Sequence, residues 1–252
     1  LGKIGNNMLT SKQIDHFKQE GYLIFESLIP PEKVEYYVSI FDQLVQHGKS
    51  LTEHQSHYAL EIDEDRNLIP GILHKVQGVC VEEPRILQLA KEQAILERIQ
   101  CLLGPDIDIF GTKFFPKLPK VGHSVYWHQD NFYFGTTSDQ IISCGIYLQD
   151  TDKENGCLRI IPSSHLQGEI FNHHRDPTTH GSWAEIDEGE AIDVEMPAGT
   201  VAVFSANLVH GTYDNHSERS RYSTAWHYIP GKLQLEQFPR GGYKDRHIVL
   251  GN

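Results

Sequence analysis

The sequence predicts a mostly β fold, a sandwich or barrel preceded by helices, within a single domain. Two observations carry this prediction. From residue 106 onward, short apolar runs recur between turn signals, at a spacing typical of sandwiches and barrels. Over 8–105, apolar residues mostly follow helical spacing instead. A chain of 252 residues is long enough to bury a sizeable core without disulfide staples, and one domain of this length is common among β folds.

Helical signals dominate the segment 8–105, which we predict to be a mainly helical buttress. Thr10 can cap a first helix that ends at Gly21, and Gln13 stands at the capping-box offset from Thr10. The other elements predicted in this segment are a short strand at 22–25, a helix from Glu32 to about Gln46 that starts after two prolines, and two helices within 83–103. The pattern of 50–80 is mixed and predicts no element.

Strand signals fill 106–252, the predicted β core. Asn155 and Gly156 form a strong hairpin turn because both residue types tolerate positive φ. The segment 166–191 is long, polar and irregular, which is typical of an active-site lid. The predicted strands are 107–115, 123–134, 141–148, 158–161, 192–194, 200–204 and 222–229.

Composition excludes several classes of protein. The net charge of −12 has no basic block, which argues against nucleic-acid binding. No apolar run is long enough to span a membrane, and no signal peptide is evident. The four cysteines show no Cys-x-x-Cys spacing, so we predict a reducing, cytoplasmic setting. We interpret 1–7, which precede Met8, as a candidate cloning remnant. The oligomeric state has no signature in the sequence.

A His-x-Asp pair, His128 and Asp130, lies in the aromatic run 126–134, which predicts a half-buried strand. Strand side chains alternate between faces, so both residues are expected on one side. An imidazole and a carboxylate presented together form two corners of a metal site. A further histidine would complete the 2-His-1-carboxylate triad of non-heme Fe(II) enzymes, which leaves coordination positions open.

A second His-x-Asp pair, His174 and Asp176, lies in the polar segment 173–181, which we predict to be a loop. A loop holds ligands less rigidly than a strand, so the first pair is the better metal site. We expect the histidines of 173–180 to be exposed or to belong to the lid. Polar lid residues favour a small polar or anionic substrate over a long acyl chain.

The third ligand is expected from a later strand, and His210 ends the apolar strand that begins at Thr200. Arg221 follows eleven residues after His210, and alternation places it on one face with Ser223, Ala225 and His227. A buried guanidinium needs an anionic partner, which a dicarboxylate would supply with bidentate geometry. Arg219 is the alternative anchor, but its polar neighbours indicate a solvated turn.

Together these residues give the chain a resemblance to the phytanoyl-CoA dioxygenase family of Fe(II)/2-oxoglutarate oxygenases. The shared pattern is His-x-Asp, a distal histidine and an arginine about eleven residues beyond it, and the resemblance covers nearly the whole chain. Residues 117–133 resemble the Lys-x-Pro…Trp-His-Gln-Asp-x-x-Tyr block, and 150–165 the Asn-Gly-x-Leu…Pro-Gly-Ser-His block. One departure is Ser163, where the family usually has glycine.

The resemblance implies a double-stranded β-helix (a cupin-like jelly roll) buttressed by helices. It implies Fe(II), 2-oxoglutarate and O2 as cofactor and cosubstrates, and hydroxylation of an unactivated C–H bond of a small molecule with release of succinate and CO2. Halogenation is disfavoured, since halogenating relatives carry a small residue in place of Asp130. The implied roles are metal ligation by His128, Asp130 and His210, cosubstrate contact by Arg221, Thr212, Lys117 and Tyr133, and substrate contact by His165, Trp127 and Asn131.

Each of these residues can also have a purely structural role. His128 and Asp130 can be a hydrogen-bonded structural pair, and His210 a histidine at a strand end. Lys117 can be exposed, Tyr133 and Trp127 can be core residues, and His165 can cap a turn. At the level of function, the alternatives are a metal-dependent, non-oxidative enzyme on a similar fold, such as a zinc enzyme, and a ligand-binding module without turnover.

Overall fold

The computed structural model describes residues 8–63, 65–175 and 181–251, without the side chain at 175. The segment 1–7 and Asp176 therefore lie outside the described residues. The helices are α1 (Ser11–Glu20), α2 (Pro31–Gly48), α3 (Val79–Glu82), α4 (Leu87–Ala90), α5 (Gln93–Leu103) and α6 (Asp130–Phe134), with 3-10 turns at Pro84–Ile86 and Ser164–Gln167. The strands are β1 (Tyr22–Phe25), β2 (Tyr58–Ile62), β3 (Leu68–Gln77), β4 (Ile107–Phe115), β5 (Ile142–Tyr147), β6 (Leu158–Ile160), β7 (His173–Arg175), β8 (Ser182–Ala184), β9 (Ile192–Val194), β10 (Thr200–Ser205), β11 (His210–Thr212), β12 (Ser223–Pro230) and β13 (Arg246–Leu250).

Two antiparallel sheets form the jelly roll. The large sheet has eight strands in the order β1-β10-β5-β12-β4-β3-β2, with β13 also paired to β4. The small sheet has the order β11-β6-β9, and β7 and β8 form a separate hairpin. Apolar side chains of β5 and β10 pack against those of β6 and β9 between the two sheets. The fold class predicted from the sequence and its resemblance, a double-stranded β-helix with helices, is confirmed.

Helices cover the other face of the large sheet. Thr10 and Gln13 form the predicted capping box of α1, and Gly21 ends the helix in the left-handed region. From α2, the fully buried ring of Phe41 stacks on Phe114 of β4 with centroids 4.1 Å apart. The Tyr228 hydroxyl of β12 donates to the Ala90 carbonyl of α4 at 2.8 Å. The helices therefore hold the back of the sheet whose front carries the site described below.

Three local predictions need correction. The run 123–134 is not a strand: His128 makes an isolated bridge with His210, and α6 begins at Asp130. The turn is stabilised because the Asn131 amide donates to the Ala206 carbonyl. The segment 50–80 contains the hairpin β2–β3, so 8–105 contributes three strands to the large sheet besides its helices. The predicted lid 166–191 includes the hairpin β7–β8.

All four cysteines are free thiols. Within the described part of the chain, no helix has both the length and the apolar composition that crossing a bilayer demands.

Candidate metal centre and the adjoining cavity

Three buried side chains from different parts of the chain converge at the front of the large sheet: His128, Asp130 and His210. One ligand atom from each lies within 4.8 Å of the others. The His128 Nε2 atom is 3.5 Å from Asp130 Oδ1, and the His210 Nε2 atom is 3.6 Å from Asp130 Oδ2. In the described residues this is the one cluster of three or more histidine, cysteine or carboxylate groups with metal-ligand spacing.

Backbone pairing brings the two histidines together. The His128 amide donates to the His210 carbonyl at 2.9 Å, and the His210 amide donates to the His128 carbonyl at 3.0 Å. Directly opposed residues of an antiparallel bridge have close side chains, and the two imidazole centroids are 4.2 Å apart. Asp130 then enters from the first turn of α6. The bridge and the helix start thus replace the single strand that the sequence predicted.

Both imidazoles are oriented for metal binding. His128 Nδ1 lies 2.7 Å from the Tyr126 carbonyl, and His210 Nδ1 lies 2.9 Å from the Leu208 carbonyl. A carbonyl only accepts, so each Nδ1 carries the proton and each Nε2 keeps its lone pair for a metal. Burial and the neighbouring His128 lower the pKa of His210 to about 4, so this ring is neutral at pH 7. The donor set of two neutral imidazoles and a carboxylate fits Fe(II).

Asp130 is held by a chain of hydrogen bonds from behind the site. The Ser143 hydroxyl donates to Asp130 Oδ2 at 2.5 Å, and Ser143 Oγ lies 3.1 Å from His227 Nδ1. Lys113 Nζ lies 3.3 Å from His227 Nε2. Since the serine proton goes to the carboxylate, His227 donates to Ser143 through Nδ1 and accepts from Lys113 through Nε2. The chain fixes the rotamer of Asp130.

The charge state of Asp130 suits a metal ligand as well. Burial acts to raise its pKa, but the surrounding imidazoles of His227, His210 and His128 lower it well below the usual range. Burial lowers the pKa of His227 to about 3, although Asp130 opposes that shift. At pH 7 the site therefore presents an ionised Asp130 carboxylate beside the neutral imidazoles of His210 and His227.

Ser143→Ala is expected to weaken Fe(II) binding about tenfold to a hundredfold, the usual cost of losing an outer-shell partner of a metal ligand. Without the hydroxyl, Asp130 Oδ2 loses its 2.5 Å hydrogen bond and the carboxylate can rotate. Anaerobic titration with Fe(II) against a competing chelator measures the change. Ser205→Ala is the matched control, because in the described residues the hydroxyl of this buried serine bonds only the nearby Asn207 amide. Equal iron affinity in the two variants would contradict the assigned role.

A large cavity of about 1220 Å³ opens in front of the triad and is lined in part by Arg221. This guanidinium is 2 % exposed, and no carboxylate in the described residues lies within ion-pair distance of it. One nitrogen donates to the Ser223 hydroxyl, the Nε atom has no partner, and the group lies 5.5 Å from the Tyr147 ring centroid. Burial lowers the pKa of Arg221. A buried, unpaired guanidinium on a cavity fits the distal carboxylate of 2-oxoglutarate.

Thr212 lies on the cavity wall, and Lys117 supports it from behind. Thr212 Oγ1 accepts from Lys117 Nζ and from the Val125 amide, each at 2.9 Å. With both acceptor positions used, the threonine proton is available to an anion in the cavity. Lys117 does not line the cavity, and its ammonium also donates to the His123 and Tyr213 carbonyls. The structure therefore gives Lys117 an indirect place beside the predicted cosubstrate site.

The position of Lys117 requires a glycine at Gly156, in the Asn-Gly motif. Its φ is 90°, and a Cβ atom built there would lie 2.4 Å from Lys117 Cδ and 2.7 Å from the Tyr213 carbonyl oxygen. Only glycine leaves room for the lysine to reach Thr212.

Tyr133 and Trp127 line the cavity, as a binding role requires. The Tyr133 hydroxyl accepts from the Ser182 amide at 2.9 Å, which links α6 to the hairpin β7–β8. The Trp127 ring packs against the Arg159 guanidinium, whose carbon lies 4.5 Å from the ring centroid. The Tyr133 side chain and the Trp127 carbonyl, which accepts from the Ala184 amide at 2.7 Å, thus join the metal region to the segment predicted as a lid.

His165 and Asn131 do not line the cavity. His165 Nε2 lies 3.2 Å from the Lys18 carbonyl at the end of α1. This contact agrees with the structural alternative for His165, a capping role. Asn131 is fully buried, and its amide donates to Asn207 Oδ1 and the Ser138 carbonyl. The structure gives both residues positions in the scaffold rather than against a substrate. Ser163 adopts a left-handed φ of 62°, the conformation that the family's glycine supplies without strain.

The lid histidines differ from one another. His173 is buried, stacks on Phe132 with centroids 4.2 Å apart, and accepts from the Gln129 amide. Of the two predicted alternatives, exposure or a place in the lid segment, it therefore fits the second. His174 is partly exposed and stacks on Trp183. His180 lies outside the described residues. The competing anchor Arg219 pairs with Asp152 at the surface, as its polar neighbours predicted.

Sequence reasoning missed the support for the metal site. Ser143 and Lys113 lie on strands that were predicted, but strand alternation alone does not show which face meets His128. The sequence did indicate that His227 lies near the site, because strand alternation places it on the same face as Arg221. Only the register, which pairs His227 with Ser143, brings this chain of side chains together.

A jelly roll that presents two imidazoles and a carboxylate beside a buried, unpaired guanidinium defines a class, the non-heme Fe(II)- and 2-oxoglutarate-dependent oxygenases. The family model for phytanoyl-CoA dioxygenase (PhyH) matches residues 17–223. The chain belongs to this family of iron and 2-oxoglutarate oxygenases. Fe(II), 2-oxoglutarate and O2 are its cofactor and cosubstrates.

Comparisons with individual proteins agree with this membership. A "Probable alpha-ketoglutarate-dependent hypophosphite dioxygenase" from Stutzerimonas stutzeri is 25% identical over 215 residues, covering 82% of this chain and 74% of that protein. The solved structure of EctD from S. alaskensis with bound Fe gives a TM-score of 0.71 at 18% identity, over 90% of this chain and 79% of that one. The 2-oxoglutarate-dependent epimerase SnoN gives 0.68 at 20% identity, over 87% and 82%. At these identities, the two solved structures show the fold alone.

Proposed function

We propose that the protein hydroxylates an unactivated C–H bond of a small-molecule substrate, with 2-oxoglutarate and O2 converted to succinate and CO2. The observation that carries the proposal is the joint presence of Asp130 and an unpaired Arg221 on one cavity. An ionised Asp130 occupies the position that halogenating relatives leave open. A zinc hydrolase has no need of a buried anion anchor such as Arg221.

The residues of the chain divide the work as follows. His128, Asp130 and His210 hold the iron, and the bound iron and 2-oxoglutarate supply the oxidising power. Arg221 and the Thr212 hydroxyl bind the distal carboxylate of 2-oxoglutarate and orient it. The chain from Lys113 to Ser143 keeps Asp130 ionised and fixed. Tyr133 and Trp127 connect the hairpin β7–β8 to the metal region, where a closed hairpin excludes water.

The stoichiometry is balanced: one oxygen atom of O2 enters the substrate as hydroxyl, and the other enters succinate. Similar proteins are described as catalysing different reactions. One relative is described as a probable hypophosphite dioxygenase, and two solved structures are described as an epimerase and a carbocyclase.

The test uses a panel of small metabolites, screened by succinate release under ¹⁸O₂, with mass spectrometry of each product. We expect a product that gains one oxygen atom, carries the ¹⁸O label and appears in step with succinate. A product that has lost two hydrogens without gaining oxygen would show desaturation or ring formation instead. A product of unchanged mass and inverted configuration would show epimerisation, and either result overturns the hydroxylase proposal.

A further inference from the structure

Two lysines line the cavity without forming an ion pair in the described residues. Lys75 of β3 makes no side-chain hydrogen bond or ion pair in the described part of the chain, and Lys113 of β4 contacts only His227. Both side chains are largely buried. Neither residue has a place in the metal and cosubstrate site except through the contact of Lys113 with His227.

Strand register puts both lysines on the face that looks toward the metal. Lys113 pairs with Ala225 on one side and with Gln77 on the other. Continuing the antiparallel β3–β4 ladder by one residue beyond the Val76–Phe114 pair places Lys75 beside Phe115, diagonal to Lys113. Arg221 lies four residues before Ala225, about 13 Å along an extended chain. The two lysines therefore form a second cationic region, separate from the Arg221 anchor.

This arrangement is costly for the empty protein. Burial, and then the charge of Lys113, lowers the pKa of Lys75 to about 8. Removing a cation from water without a partner costs free energy, and two such cations repel each other. The chain has a net charge of −12, so acidic residues are plentiful. Asp130 and Asp245 act on Lys113 only from beyond ion-pair distance, and no acidic residue offsets the charge of Lys75. An uncompensated buried charge at a cavity indicates a ligand of the opposite sign.

The acidic residues that line the cavity are engaged elsewhere. Glu188 pairs with Arg159 at 2.7 Å, and one Asp214 oxygen accepts from the Ser124 amide at 2.5 Å. Asp63 accepts from the Asn67 amide at 2.8 Å, and Glu185 lies 4.0 Å from His174. None of these four carboxylates forms an ion pair with Lys75 or Lys113 in the described residues. The fifth acidic residue of the cavity wall, Asp130, is linked to Lys113 only through Ser143 and His227.

Cosubstrate binding does not neutralise the lysines either. If the proposed function holds, the two positive charges of Fe(II) and that of Arg221 are balanced by Asp130 and the two carboxylates of 2-oxoglutarate. The charge of Lys75 and Lys113 then remains for whatever else enters the cavity. Lys113 is linked through His227 and Ser143 to Asp130, so a group bound here lies beside the metal.

We propose that Lys75 and Lys113 bind an oxyanion of the substrate, a carboxylate or a phosphoryl group, and that the substrate is therefore a small acid. This inference rests on the proposed function and names the substrate class for that site. An ammonium is a compact point charge that binds carboxylate and phosphoryl oxygens alike. The hydroxylated carbon would then belong to the part of the molecule that the anion positions near the metal.

The test is calorimetric titration of the anaerobic protein, loaded with Fe(II) and saturating 2-oxoglutarate. The probes are butyrate and methylphosphonate, with butyramide and dimethyl methylphosphonate as neutral counterparts. We expect each anion to bind at least about tenfold more tightly than its neutral counterpart, since hydrogen bonds to charged groups are worth 1.5–3 kcal/mol. The anion that binds with the higher affinity shows whether the site prefers a carboxylate or a phosphoryl group.

Lys75→Met is expected to remove this preference, and Lys75→Arg to keep most of it. Lys12→Met is the matched control, because it makes the same charge change at an exposed position on α1. The melting temperature of the metal-free Lys75→Met protein is expected to rise, since a buried unpaired charge is lost. A lysine with a purely structural role would give a lower melting temperature and unchanged anion binding.

Three results would overturn the inference. One is equal binding of anions and neutral counterparts by the wild type, and another is an anion preference that survives in Lys75→Met. The third is a loss of 2-oxoglutarate affinity in Lys75→Met but not in Arg221→Met, which would make the lysines the cosubstrate anchor. Failure of the proposed function looks different, because the wild type would still prefer the anions while the ¹⁸O₂ assay gave a product without added oxygen.

Discussion

Asp130→Ala is expected to abolish the weak visible charge-transfer band that the wild type develops when its Fe(II) form is titrated anaerobically with 2-oxoglutarate. The carboxylate is the one anionic ligand of the triad, and its oxygens lie 3.5 and 3.6 Å from the two histidine Nε2 atoms. Losing an outer-shell partner alone costs up to about a hundredfold in metal affinity, so loss of a ligand is expected to cost at least ~100-fold. Succinate release is expected to fall to background with the band.

The control for this prediction is Asp139→Ala, which removes an exposed carboxylate nine residues along the chain. Its iron affinity and its band are expected to match those of the wild type. If Asp130→Ala kept the band, a different residue would have to supply the third ligand, and the reaction class assigned from the triad would be wrong.

Arg221→Met is expected to weaken 2-oxoglutarate binding about thirtyfold or more, while Fe(II) binding stays within twofold of the wild type. Truncating one partner of a buried, hydrogen-bonded charge pair costs about 2–5 kcal/mol, because the other charge is left unpaired. The measurement is the half-saturation point of the same anaerobic titration. The metal-free variant is expected to melt at a higher temperature than the wild type, since Arg221 is 2 % exposed and has no anionic partner before the cosubstrate binds.

Arg219→Met is the matched control, because Arg219 lies two residues away and pairs with Asp152 at the surface. Its affinity for 2-oxoglutarate is expected to change by less than twofold. A larger effect at Arg219 than at Arg221 would exchange their roles and would revive the alternative anchor considered from the sequence.

For the candidate metal site, the sequence motif predicted the position of the side chains correctly but the local backbone structure incorrectly. The spacing of His128 and Asp130 predicted that both side chains meet on one side, and in the structure they do. The predicted reason was strand alternation, but the local structure is an extended His128 followed by the first turn of α6. The aromatic run favours a strand by propensity, and tertiary hydrogen bonds to the β10–β11 turn override that propensity.

The hairpin β2–β3 was not predicted from the sequence, and the reason is physical. Its register shifts between Ala59 and Leu60 and again between Leu60 and Ile62. Each shift breaks the alternation of apolar and polar side chains on which strand prediction depends. Residues 50–80 therefore carry no periodic signal, although they extend the large sheet and bring Lys75 to the cavity.

The fold class, the three side chains of the candidate metal site and the arginine that faces the same cavity were all predictable from the sequence. These follow from residue type, short spacing and turn chemistry, which act locally along the chain. Three further relations become visible only in the folded chain: Ser143, His227 and Lys113 support Asp130, Lys117 supports Thr212, and Lys75 forms no ion pair in the described residues. Those relations depend on strand register and on contacts between residues distant in the chain, and a one-residue change in register would turn each of these strand side chains to the opposite face.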